Sequence, residues 1–327
     1  MHSRKIKNQN SNIKSNHGFH RFNRGFHGFF CVIRVICGCV IRVICGFILI
    51  FESGCAEQIQ KPRRVCPGKE TVAESLSVLM SRSQSAVPLK ANGQCCLLYY
   101  VEGKKHEENF PVKVWVNPPA EICLQGDVAF DPRGIVLGSN ENEFWLAIRL
   151  KEISSYWQGR WEQINYLDEL MISPRLVLEG LGIIAVGSDG NGDQNWSLSK
   201  KEAFDVLTRH EAGNDKVGII KKIYIYDCDY LVRKIEYFNV NRQAQIIVEL
   251  DKYEQVVEEF FVPRSIKITK YGESVEDLTS ITFSLTSVKS DSFSVKQRNF
   301  LFTHPEPKGF KHVFVNVDGN WIEQKQD

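Results

Sequence analysis

The sequence predicts an α+β fold: a half-open, strongly curved antiparallel β-barrel of about eleven strands with a few plugging helices. Three observations predict it. Segments of alternating apolar and polar residues follow one another over most of the chain, joined by short links rich in Gly, Pro, Asn and Asp, which is the pattern of a hairpin meander. Several segments are apolar on both faces, so each face must meet something, a second layer or a cavity. Helical spacing is confined to one capped segment ahead of the strands and two short ones in their middle. A sheet this wide curls, and curling around an apolar interior plugged by helices leaves a hollow core.

Residues 1–54 read as a signal peptide with a long basic leader. They hold eight Lys and Arg and one acid, Glu52, and within them Cys31–Gly38 and Cys39–Gly46 both read CVIRVICG. The uninterrupted apolar run Val43–Phe51 suits the hydrophobic region of a cleaved leader, whereas an anchor helix over Phe29–Phe51 would bury Arg34 and Arg42 mid-span. Ser53-Gly54-Cys55-Ala56 resembles a bacterial lipobox, although Glu52 stands where an aliphatic residue is usual. That resemblance implies a diacylglyceryl thioether on Cys55, a membrane anchor, and, with Ala rather than Asp after it, sorting to the outer membrane facing the periplasm. Residues 55–69, with Pro62, Pro67 and Gly68, form the tether.

The folded domain is expected over 70–327. Thr71 and Glu74 stand at capping-box spacing, and Val72, Leu76, Leu79, Met80 and Ser83 fall on one face, so Thr71–Ser83 is an amphipathic helix. Strands follow at Gln94–Val101, Pro111–Asn117, Glu121–Phe130, Ile135–Ser139 and Glu143–Leu150. Short helices are expected at Trp161–Leu167 and Pro174–Leu181, the second with Pro174 at its first position and Gly180 and Gly182 at its end. Gly187–Lys200 reads as a polar loop. Six more strands follow: Ala203–Glu211, Val217–Asp227, Leu231–Phe238, Gln243–Tyr253, Arg264–Tyr271 and Asp277–Lys289. Ile219, Ile223 and Ile225 share a face that Lys221 interrupts.

Beyond residue 54 the chain carries 33 basic and 38 acidic residues, a net acidic body that argues against nucleic acid as partner. Its five cysteines, Cys66, Cys95, Cys96, Cys123 and Cys228, are odd in number, so one thiol at least stays free. Cys95 and Cys96 point to opposite faces of one strand, and a bridge from either to Cys123 is open. No CxxC or HExxH occurs, so no metal is expected. Asp189-Gly190-Asn191-Gly192-Asp193 has calcium-loop spacing but Gln194 and Lys200 at the positions that need Gly and Glu, and reads as a solvated turn. His106, His210, His304 and His312 lack any accompanying nucleophile signature, so no enzyme and no cofactor is expected.

Leu231–Phe238, Ile246–Tyr253 and the run Val262-Pro263-Arg264-Ser265-Ile266-Lys267-Ile268, closed by Phe300–Pro305 and Pro307–Phe310, resemble the C-terminal half of the LolA/LolB-like periplasmic lipoprotein-carrier superfamily. Phe144-Trp145-Leu146, Trp161 and Pro174-Arg175 resemble uncharacterised bacterial lipoproteins of that type. The resemblance implies an apolar cavity for lipid or lipoprotein acyl chains and no reaction. Trp115, Phe144, Leu146, Tyr224 and Phe283 are the candidates for its wall. The competing reading is a structural or sensory envelope protein that uses the same fold to bind another protein.

Overall fold

The computed structural model describes residues 66–128, 131–161, 170–185, 195–210, 219–272 and 278–324, all within the unit 61–327. Helix α1 (Val72–Gln84) opens it. The Thr71 hydroxyl accepts from the Glu74 amide at 3.2 Å, and the Glu74 carboxylate accepts from the Thr71 amide at 3.3 Å, which is the capping box the spacing predicts.

The sheet begins at its own centre. Strand β1 (Leu89–Val101) pairs with β2 (Lys104–Asn117), and the chain steps outward through β3 (Glu121–Val128), β4 (Asp131–Ser139) and β5 (Glu143–Arg149) to β6 (Ser154–Arg160). After helix α2 (Pro174–Gly180) it restarts at the far edge with β7 (Trp196–Lys201). It returns through β8 (Phe204–His210), β9 (Ile219–Tyr226), β10 (Val232–Phe238), β11 (Ala244–Val257) and β12 (Phe260–Lys270) to β13 (Thr279–Ser290), which pairs with β1. Helix α3 (Val295–Leu301) leads to β14 (His312–Val317) and β15 (Asn320–Gln324), added outside β6. Among the described residues the result is one strongly curved, unclosed sheet of fifteen strands, with β7 and β15 at its ends. Neighbours are antiparallel except β14 and β6, which run parallel because α3 and the chain after it carry the strand back across the sheet.

The expectation of about eleven strands is therefore corrected to fifteen. The additional four are β6, β7, β14 and β15. The polar loop expected over 187–200 gives way to β7 from Trp196, an edge strand whose Ser and Lys residues need no second layer. The helix expected over Trp161–Leu167 lies, after its first residue, outside the described residues, as does the Asp189–Asp193 turn.

Register places the core. Cys95 stands opposite Phe283 on one side and Phe110 on the other, and directly opposed residues share a face. Leu97, Tyr99, Val112, Val114, Ile281 and Leu285 join them on the inner, concave face, all buried. The outer face is covered only in part. Arg298 of α3 makes a two-pronged bond to Glu121 of β3 at 3.1 and 2.9 Å, and Leu301, Phe302 and Phe293 pack there on Trp115 and Cys123. Phe310 then covers Trp145 and Tyr156, with the Arg149 guanidinium 4.4 Å from its ring centre. Strands apolar on both faces are thus explained by two packed layers.

A disulfide joins Cys66 to Cys228, in the turn between β9 and β10. A bridge from Cys95 or Cys96 to Cys123 is corrected by position. Cys95 lies on the concave face and Cys123 on the outer one. Cys96 and Cys123 stand opposite Asn109 and Trp115 of the shared neighbour β2, a separation of about 20 Å along that strand. All three remain thiols.

Candidate functional site

The concave face carries two helices, and the junction between them is the candidate site. α2 is built to stop there. The Gly182 amide donates to the Glu179 carbonyl and the Ile183 amide to the Leu178 carbonyl, each at 3.0 Å, closing a Schellman motif with Gly182 at φ +75°. Gly180 faces Ile266, Leu250 and Val248 of the sheet, where a Cβ would make ordinary contact at 3.4–3.9 Å.

α2 is fastened by a buried polar cluster. Glu179, 3% exposed, accepts from Lys221 of β9 at 3.1 Å, from Arg175 at 3.3 Å, and from the Tyr237 hydroxyl. Lys221 is the residue that breaks the apolar stripe of β9, and its partner is the reason it can sit there. A buried charge must be paired.

α1 is held more lightly. Of its 13 residues only Ser75 and Leu79 are buried, and Met80, expected on the covered face, is 46% exposed. Arg82, three residues after Leu79, turns toward the sheet in its place. At the near end the Tyr230 hydroxyl donates to Ser75 Oγ at 2.6 Å. Burial pushes that phenol up to about 12, so it stays a donor at neutral pH. At the far end Arg82 donates from Nη1 to the Tyr230 carbonyl at 2.6 Å and from Nη2 to the Asp229 carbonyl at 2.8 Å, with its guanidinium 5.4 Å from the Phe261 ring centre.

Between α1, α2 and strands β10 to β12 lies a void of about 50 Å³, walled by Leu79, Ile184, Val232, Leu250, Phe260 and Tyr253 among others, with Arg82 and Glu179 as its charged members. That volume is below the roughly 300 Å³ of an ordinary ligand pocket. Anything chain-like that enters must displace a helix.

The sequence candidates scatter around this site. Phe144, Leu146 and Phe283 lie in the main core, Phe144 packing against Trp161 and Trp321 at 5.1 and 6.2 Å between ring centres. Trp115 is on the outer face beneath α3. Tyr224 alternates with Ile223 and Ile225, so it faces outward, where it bonds Glu236 at 2.9 Å under the Lys234 ammonium. None of the five lines the void. Alternation separates two faces but does not say which is concave or where a helix lands. Arg82 and Glu179 carry no motif; the signal for them is a charge on the covered stripe of an amphipathic helix and a lysine within the apolar stripe of β9. Cys55 lies outside the described residues.

No protein-family model and no curated protein sequence matches the chain. Solved structures do. A protein domain described as outer-membrane lipoprotein-sorting, from Vibrio parahaemolyticus, is 10% identical with a TM-score of 0.48, over 71% of this chain and 100% of that one. A family protein of unknown function from Desulfovibrio piger is 10% identical with a TM-score of 0.46, over 72% and 98%. A LolA superfamily protein from Nitrosomonas europaea is 12% identical with a TM-score of 0.43, over 72% and 99%. The chain is similar to these in the arrangement of its elements, and the likeness carries no ligand or partner with it.

Proposed function

We propose that the protein is a non-catalytic component of the cell envelope that binds or hands over an acyl chain, of a lipid or of a lipoprotein, between the concave face of its sheet and helices α1 and α2. In this reading Cys55 anchors it to the membrane, at the outer membrane facing the periplasm, and residues 55–69 are the tether. The observation that carries the reading is the light cover. α1 spans an apolar face while burying only Ser75 and Leu79, above a void already walled by aliphatic and aromatic side chains. Lifting it exposes a continuous apolar trough, and each methylene that enters is worth about 0.8 kcal/mol. The test is lipid analysis of the protein purified from its own membranes, with the covalent Cys55 modification counted separately. Acyl lipid at about one per chain supports the reading; protein free of non-covalent lipid that also takes up no fluorescent fatty acid removes it.

One observation favours a second reading, in which the fold binds another protein. β15 ends the sheet, and its Ile322 is 52% exposed at that edge. An extended peptide could add to it as a sixteenth strand by backbone hydrogen bonds. A partner that binds the natural protein but not Glu323→Pro, whose amide points away from β14, and that fatty acid does not displace, would establish that reading instead.

A further inference from the structure

Arg82 is ill suited to a purely structural role. Its two Nη groups are bonded to backbone carbonyls, yet its Nε–H is buried and has no partner. The side chain is half-buried, with its Nε at the wall of an apolar void and its Nη2 end toward the surface. Asp229 and Glu259 are near enough to favour the cation, but Asp229 is paired with Arg233, and Arg82 forms no ion pair among the described residues. Burial lowers its affinity for the proton, which is the cost of holding a cation where water is scarce. A place in the last turn of α1 suits a positive charge through the helix dipole. That accounts for the charge and leaves the Nε–H unexplained. A buried donor left unmade is costly, and the guanidinium fork matches an anionic oxygen pair across Nε and one Nη.

We infer that Arg82 and the void beneath α1 together form a binding site for an anionic amphiphile, an acyl chain that ends in a carboxylate or phosphate. The anionic oxygens take the Nε side of the guanidinium and draw it off the Tyr230 and Asp229 carbonyls, and the chain runs into the trough between α1 and α2. This rests on the acyl-binding reading above and adds the charge of the head group to it. The position within α1 agrees with the motion required. The start of the domain is tied to the β9–β10 turn through Cys66–Cys228, and Ser75 is tied to Tyr230, so the Arg82 end is the one free to lift once an anion takes over its guanidinium.

The experiment uses the full chain in nanodiscs of neutral phosphatidylcholine and titrates three probes: oleate, oleyl alcohol and inorganic phosphate. Oleate is expected to bind at least about tenfold more tightly than oleyl alcohol, the scale of one charge-assisted hydrogen bond. Phosphate alone should bind far more weakly than oleate. Arg82→Gln should abolish the preference for oleate over oleyl alcohol, and Arg82→Lys should keep part of it. If Arg82→Gln fails to fold, the comparison of oleate with oleyl alcohol on the natural chain still decides. Equal affinity for the two overturns the inference and leaves acyl binding standing. Phosphate binding as tightly as oleate, and competing with it, overturns it in favour of a free-anion site. Binding of none of the three removes both the inference and the acyl-binding reading.

Discussion

Lys221 shows how far a single residue can be read. Its place in the apolar stripe of β9 is visible in the sequence as an interruption, but the partner, Glu179, is 42 residues away on α2, and no local pattern joins them. The cluster they form with Tyr237 and Arg175 is buried, so its energy is asymmetric. Removing one partner strands a charge, whereas replacing both with apolar groups can be nearly neutral. Glu179→Gln is expected to destabilise the domain by about 3 kcal/mol or more, measured by urea unfolding. Glu179→Met combined with Lys221→Met should recover most of that loss. A single variant as stable as the natural protein would show that the cluster does not hold α2. The aromatic candidates teach the complementary lesson. Trp115 and Phe283 sit on equally regular alternating segments, and only the landing of α3 on one face and of α1 and α2 on the other assigns them.

At the scale of elements, the long central strands were legible and the edge strands were not. β2, β11 and β13 carry alternation where one face is buried, over Phe110–Val116, Ile246–Leu250 and Ile281–Leu285, and β1, apolar on both faces in sequence, is buried on alternate residues from Leu89 to Tyr99. β7 and β15 are short, polar and at the sheet ends, where one-sided burial is no longer demanded. A turn signal was nevertheless present between β14 and β15. Asp318-Gly319, both at positive φ, is the pair that a two-residue hairpin requires. Helix α1 follows its capping box as read, but its covered face is narrower than the spacing implies. Its amides are therefore expected to exchange with deuterium well before those of β1, because few buried side chains hold it down. Protection of α1 equal to that of β1 would mean that it is a fixed part of the core. The Cys66–Cys228 bridge, which spans 162 residues, should matter more. Cys228→Ser, or reduction, is expected to cost about 2–5 kcal/mol, read as a lowered melting temperature. Melting unchanged by reductant would show that the turn holds the start of the domain without it.

Across the whole molecule, one sheet supplies two different surfaces from the same residues. Its outer face is closed piecemeal by α3 and the segment around Phe310, while its concave face is apolar from β1 to β13 and onward to β10, under α1 and α2. The curled sheet with helical plugs follows from composition and alternation. The filling of its interior does not, because the volume left between a helix and a sheet depends on where each side chain lands. The central claim is that acyl chains enter beneath α1. A photoactivatable fatty acid, irradiated with the full chain in neutral nanodiscs and mapped by peptide mass spectrometry, tests this most directly. The account predicts crosslinks in α1, in the segment 176–185 and in the facing residues of β10 to β12, all suppressed by excess oleate. Crosslinks confined to the outer face or the β15 edge, or none that oleate suppresses, would contradict it.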